Sequence, residues 1–440
     1  MKRWFLSLFW LIASLTISTL AQQSEPSEDS SADWAAASPT LAGQGARHGM
    51  LDERAVANYV IAGITVTQMF TDNADLSSAT PISNLSYDFE PQITLNYFTP
   101  KVSYDFGVLA GFVDNQKLKN QNQATQTASF DLSYHLTHFV VLRASDNFRN
   151  STGLWNGVDS AGSTASGIGS VQAANSSLYP YGEFRANTAL AELSIQLSPD
   201  AFAGIRGEQA YTWFPSGATD PVLGDLVGGD TYSAEMFYNH HFTQRNWGGV
   251  TLRAQRFDLD ESAGRTNTAT LLLMYARNFR PTISLTIFAG PQFSTTAGMP
   301  GVQPVGFRPR LYSPAAGAVF NAETHTTSGV VSFLHQVTDG GGLLSAVTLT
   351  SASADLMRRL AHRFEVGPAF TYAQSAPIIP GPTIQTYSGM LQSAVRARDC
   401  TFRAGYARDE RSTVSGNNLS ASANRVWISF SYDFLRPIGR

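Results

Sequence analysis

Cysteine is almost absent: Cys400 stands alone in 440 residues. With one thiol there is no intrachain disulfide and no cysteine-based zinc cluster, and Cys400 reads as a small apolar packing residue. Charge is scarce as well, 15% of residues with a formal net of -4. That balance argues against nucleic acid as a partner, because phosphate recognition needs a basic surface. Beyond the amino terminus no apolar run approaches the ~20 residues that a membrane-crossing helix requires. Catalytic motifs are missing too: no G-x-S-x-G elbow, no H-E-x-x-H helix and no phosphate loop occurs. His135, His240 and His362 are paired with no serine by spacing. His240-His241 is the best metal candidate, yet adjacent strand residues point to opposite faces, so only one can look inward. The expectation is a structural histidine, no metal or other cofactor, and no enzymatic activity.

What is present starts with an address. Lys2 and Arg3 precede the apolar run "WFLSLFWLIASLTISTL", and Thr19-Leu20-Ala21 offers a small-residue cleavage site before Gln22. Residues 1–21 therefore read as a cleaved signal peptide, with an uncleaved anchor as the alternative. Residues 22–55, rich in Ser, Ala, Pro and acid, read as a disordered linker that would lie in the periplasm.

From Tyr59 onward the chain alternates. In "LSYDFEPQITLNY" (85–97) the odd positions are apolar apart from Pro91 and the even ones polar, a period of two that separates two faces of a strand. The pattern returns at 102–112, 128–136, 232–242, 283–288 and 426–434. Several segments run about ten residues, longer than the five or six usual in soluble proteins and close to the nine to eleven that span a bilayer. Tight connections such as "FTPK" (98–101), "SPD" (198–200) and "RDC" (398–400) alternate with long polar ones such as 149–177, 215–229 and 294–310. Short turns at one end and long loops at the other are the habit of an up-and-down membrane barrel, here of about 18 strands, with 16 as the alternative count. Tyr312 to Met357 is where the pattern blurs. Pro91 and Pro368 each imply a bulge or a strand that starts after the proline.

The last segment, "RVWISFSYDF", resembles the carboxy-terminal signature of Gram-negative outer-membrane β-barrel proteins. In that family, alternating hydrophobics ending on an aromatic are read by the barrel assembly machinery. Val426, Ile428, Phe430 and Tyr432 match the alternation and Phe434 the terminal aromatic, followed here by the tail "LRPIGR". The resemblance implies an all-β, transmembrane, antiparallel barrel over 56–434 with a periplasmic tail at 435–440. It places the chain in the cell outer membrane, porin-like in size, in contact with outer-membrane lipid and open to homo-oligomerisation.

Parity assigns an inward, pore-lining set: Asp88, Glu90, Asp105, Asp131, Arg143, Glu192, Arg206, Glu208, Glu235, Arg253, Arg396, Arg403 and Arg425. Charge in a membrane-depth strand needs a wet interior or a partner. The reading is a channel for passive diffusion of small hydrophilic solutes. Its rivals are a barrel assisting polysaccharide or other polymer export and a secreted, soluble carbohydrate-binding β-protein. Acidic residues dominate from Tyr59 to Asp230, whereas arginines dominate after Gly340, from Arg358 to Arg425. Closing the barrel would set these sectors side by side, either as a field across the lumen or as lateral ion pairs.

Overall fold

A computed structural model describes residues 58–74, 76, 80–119, 122–151, 184–214, 219–220, 224–225, 228–259, 264–297, 310–338, 346–378, 381–413 and 420–437. The expected signal peptide, the 22–55 linker and most of the 149–177 stretch fall outside them.

The first strands are β1 (Tyr59–Thr71), β2 (Asn84–Phe98), β3 (Val102–Asn115), β4 (Gln123–His135), β5 (Val140–Ser151), β6 (Phe184–Ser198) and β7 (Ala201–Trp213). A two-stranded ribbon follows, β8 (Thr219–Asp220) with β9 (Gly224–Asp225). Then come β10 (Gly229–Thr243), β11 (Asn246–Leu259), β12 (Gly264–Arg280), β13 (Ile283–Ala297), β14 (Arg310–Glu323) and β15 (Thr327–Thr338). The last are β16 (Val347–Ala361), β17 (Phe364–Pro377), β18 (Ile384–Ala397), β19 (Cys400–Thr413) and β20 (Ser420–Pro437). Apart from the ribbon they form one 18-stranded sheet, antiparallel throughout, which closes because β1 pairs with both β2 and β20. Of the two expected counts, 18 holds. Closure removes the open edges that a flat sheet would expose.

Each strand sorts its side chains by parity. In β12, Leu271 and Leu273 on the outside are 42% and 62% exposed, while Thr270 and Leu272, which alternate with them, are 3% and 1% exposed. The same outer position is taken by Phe89, Ile93, Phe112, Ile205, Leu391 and Ile428 on other strands, all exposed. At one end the hairpins are tight, as at Pro199-Asp200, Gln244-Arg245 and Arg398-Asp399; the longer connections gather at the other. Both β1 and β20 terminate at the short-turn end, where Tyr59 faces Pro437. The closing ladder therefore continues past Phe434: Leu435 pairs with Ile61 and Arg436 with Val60, so the first half of the expected tail is strand.

Both prolines sit inside regular strands. Pro91 keeps register with Ile64 on β1, and the β2–β3 ladder skips from Phe89↔Phe112 to Gln92↔Leu109 without a shift. Pro368 keeps register with Leu391, and the β16–β17 ladder skips from Asp355↔Ala369 to Arg358↔Val366. Each proline lacks one N–H donor, and one ladder is interrupted there while the other runs on. Neither a bulge nor a late strand start is found.

The blurred segment has a structural cause. The β14–β15 ladder stops at Ala316↔His335, so Gln336–Thr338 leave β14 while staying paired with β16 through Thr338↔Val347. The departing backbone turns inward: the Val337 N–H donates to Oε1 of Gln292 on β13, two strands away, at 2.8 Å. Val337 and Ala346 pack on Phe257 of β11, with Leu311 and Ile378 alongside. A strand buried on both faces loses the period of two, because apolar side chains are then needed on both.

Candidate functional site: the inner face of the barrel

The thirteen charged residues expected to point inward all share the face opposite the exposed apolar side chains, as the registers require. They are not equally accessible. Asp131 and Arg403 are exposed and Asp88, Asp105, Arg143, Glu208 and Arg396 half-buried, whereas Glu90, Glu192, Arg206, Glu235, Arg253 and Arg425 are buried.

Five of them form one transverse row. Arg143 on β5 faces Glu192 on β6, which faces Arg206 on β7, then Glu235 on β10 and Arg253 on β11. The signs alternate, and directly opposed side chains on neighbouring strands lie within contact range. Arg206 donates to Glu192 Oε2 from Nη2 at 2.6 Å and from Nε at 3.1 Å. Its Nη1 lies 3.6 Å from Glu235 Oε2, and Arg253 Nε donates to Glu235 Oε1. Arg143 closes the row at 3.7 Å from Glu192. Buried charges tolerate this position only in pairs, since removing one partner strands the other in a poorly solvated wall. The row passes on to Thr270, Gln292 and Ser313 on β12 to β14, all buried polar residues.

The arginine-rich last strands also pair laterally. Arg425 Nε donates to Asp409 Oδ2 at 2.7 Å, and Glu365 lies 3.4 Å from Arg359 and 3.2 Å from Arg396. At the closing seam, Thr65 and Ser431 hydroxyls meet at 3.0 Å and Gln92 donates to Asp433 at 3.0 Å. Asp409, Arg411, Arg359 and Glu365 belong to this inner face and were missed by the parity reading. In "RDER" (408–411) four successive charges hide the alternation: Arg408 and Glu410 point outward and bond each other, Asp409 and Arg411 point inward.

Large apolar residues also occupy the inner wall, which the alternation did not predict. Trp247, Leu272, Met274, Phe288 and Ala315 form a buried cluster with Leu334 against it. The signal was the unbroken apolar run "LLLMY" (271–275), where both faces are apolar. Three inward aromatics lie directly across from glycines: Phe237 on Gly204, Phe288 on Gly317 and Trp427 on Gly405. A Cβ built on any of these glycines would overlap the ring. The rings thus lie flat along the wall, covering backbone that glycine leaves bare. His241 shares the inner face with Asn239, whereas His240 stacks edge-on with outward Phe242 at 5.3 Å. Among the described residues no cluster of His, Cys, Asp or Glu could hold a metal.

No family model matches the chain, and no curated protein matches it. Among solved structures, similar ones are Pseudomonas aeruginosa OccK2 (OpdF) in complex with glucuronate, Acinetobacter baumannii OccAB4 and a BenF-like porin from Pseudomonas fluorescens Pf-5. The first is 9% identical with a TM-score of 0.45, over 85% of this chain and 98% of that one. The second is 10% identical at 0.44, over 86% and 100%. The third is 9% identical at 0.45, over 86% and 99%. Likenesses of this degree identify neither a family nor a solute.

Proposed function

We propose that this chain is an outer-membrane channel through which small hydrophilic solutes diffuse passively. The observation that carries the reading is the apolar outer wall on a closed barrel. Phe89, Phe112, Ile205, Leu273, Leu391 and Ile428 are exposed on strands around the ring, and water would not tolerate so continuous an apolar surface. A bilayer would. The expected export signal supports an envelope location, and the exposed Ile428, Tyr432 and Phe434 are presented as the assembly machinery would need them.

An 18-stranded barrel encloses more space than side chains fill. The apolar cluster and the inturned end of β15 occupy the β10 to β15 side, and the inner face is accessible at the short-turn ends of β3, β4, β18 and β19. Asp105, Asp131, Arg396 and Arg403 are the accessible charges there, and the paired row acts as wall. The inturned β15 end, held by Gln292, takes up part of the lumen.

Fractionation is the first test: the protein should partition with outer membranes and shift mobility on heating, whereas recovery in a detergent-free soluble fraction removes the proposal. In planar bilayers, Arg396→Ala/Arg403→Ala should change the cation/anion permeability ratio at unchanged stability. No conductance from correctly folded protein refutes the channel.

A further inference from the structure

The two rims of the barrel differ in how many unmatched outer cations they gather: among the described residues the long-loop end has the scattered Lys117, Lys119 and Arg310, and the short-turn end has a larger set in one half of the ring. At the long-loop end, Arg256 and Arg265 share Asp258 at 2.6 and 2.5 Å, and Arg408 pairs with Glu410 at 2.7 Å. At the short-turn end, Arg245, Arg277, Arg280, Arg358, Arg363 and Arg398 are all exposed, and among the described residues none has a carboxylate within ion-pair distance. They occupy the consecutive sector from the β10–β11 turn to the β18–β19 turn. Glu323 and Asp399 bring exposed negative charge to that stretch of rim, and Glu365 faces inward, where it is taken up by Arg359 and Arg396. The outer wall at this end is apolar, with Phe242, Phe279, Phe320 and Leu360 exposed, and Arg277 and Arg358 each stand one outward position further into the wall than Phe279 and Leu360. Arg277 lies over the Phe279 ring at 5.1 Å.

We infer that this arginine rim docks the phosphate headgroups of anionic phospholipids in the leaflet at the short-turn end. The inference rests on the membrane-spanning reading above. An exposed guanidinium with no carboxylate partner, beside an apolar band that would be in acyl chains, reaches toward headgroup depth. Its planar fork matches two phosphate oxygens. The six groups make two positive patches, Arg245 with Arg277 and Arg280, and Arg358 with Arg363 and Arg398, on either side of the β14–β15 turn, and each cation near an anionic leaflet adds to the attraction. Among the described residues of the opposite rim, Arg256, Arg265 and Arg408 are paired, and the unpaired Arg310 stands far round the ring from Lys117 and Lys119.

The test uses full-length protein folded into vesicles of phosphatidylcholine, alone or mixed with phosphatidylglycerol. Lipid association is read with spin-labelled analogues of each headgroup. Wild type should favour phosphatidylglycerol several-fold over phosphatidylcholine, with the preference falling as salt is added. Arg245→Gln/Arg277→Gln/Arg280→Gln should bring the two lipids near parity, and the matching lysine variant should keep most of the preference. Arg256→Gln/Arg265→Gln at the other rim should leave it unchanged. Parity in wild type, or an equal loss in both glutamine variants, overturns the inference while leaving the channel intact. Failure to insert into either vesicle overturns the membrane-spanning reading itself.

Discussion

Glu235 is the member of the inner row whose loss should cost most. It accepts a hydrogen bond from Arg253 and lies 3.6 Å from the Arg206 guanidinium, with a side chain 4% exposed. At that separation and an effective dielectric near 20, one such contact has a gross strength of about 4–5 kcal/mol, most of it offset by desolvation. Glu235→Leu removes the anion but not the burial, leaving Arg253 stranded, so the net loss should be about 3 kcal/mol. Arg143→Met, at an 18% exposed side chain 3.7 Å from its partner, should cost less than about 1 kcal/mol. Replacing the pair, Glu235→Leu/Arg253→Met, should recover most of the loss, since a packed apolar pair needs no solvation. Urea unfolding of vesicle-inserted protein, followed by the heat-modifiable band, measures all three. If Glu235→Leu costs no more than Arg143→Met, the row is water-screened and its burial is misjudged.

Gln292→Ala should free the end of β15 and raise single-channel conductance or its noise; an unchanged trace would show that the strand needs no latch. Gly405→Ala should force the Trp427 indole off the wall, costing about 1–3 kcal/mol and shifting tryptophan emission to the red as the ring enters water. Arg398 holds a left-handed φ of 55° at the first position of a two-residue hairpin, so Arg398→Gly should stabilise by up to about 1 kcal/mol in the same unfolding assay. Phe434→Ala should reduce the membrane-inserted form; removing 438–440 should be harmless, whereas removing 435–440 deletes rungs opposite Tyr59, Val60 and Ile61 and should slow assembly.

The barrel was legible because an apolar outer wall and polar inner contacts impose opposite demands on alternate residues, and long strands repeat that demand many times. The closing aromatics from Ile428 to Phe434 were legible for the same reason. Asp409 and Arg411 were not, since a run of charge carries no contrast between faces. Trp247, Leu272 and Phe288 were hidden because an apolar inner wall removes the contrast from the other side. Gln292 could not have been singled out: its role depends on a strand leaving its neighbour, which is a long-range event. Pairing within the row was equally invisible, as parity gives a face but not which charges stand at one level.

The seam between the first and last strands has a consequence for how the molecule comes to exist. The Thr65 and Ser431 hydroxyls that meet across it are separated by 366 positions in the chain. Bringing such distant segments together costs about 3 kcal/mol more in loop entropy than closing a neighbouring hairpin. β1 is made first yet has only one of its two neighbours until β20 is complete, and through that interval its free edge could pair with any passing strand. The order of synthesis is thus opposed to the order of closure. A permuted gene that joins the facing ends at Tyr59 and Pro437 through a short linker, and opens the chain in a long-end loop, would move that vulnerable edge elsewhere. The rate at which such a rearranged barrel closes would tell whether the wait belongs to these two strands or to whichever pair comes last.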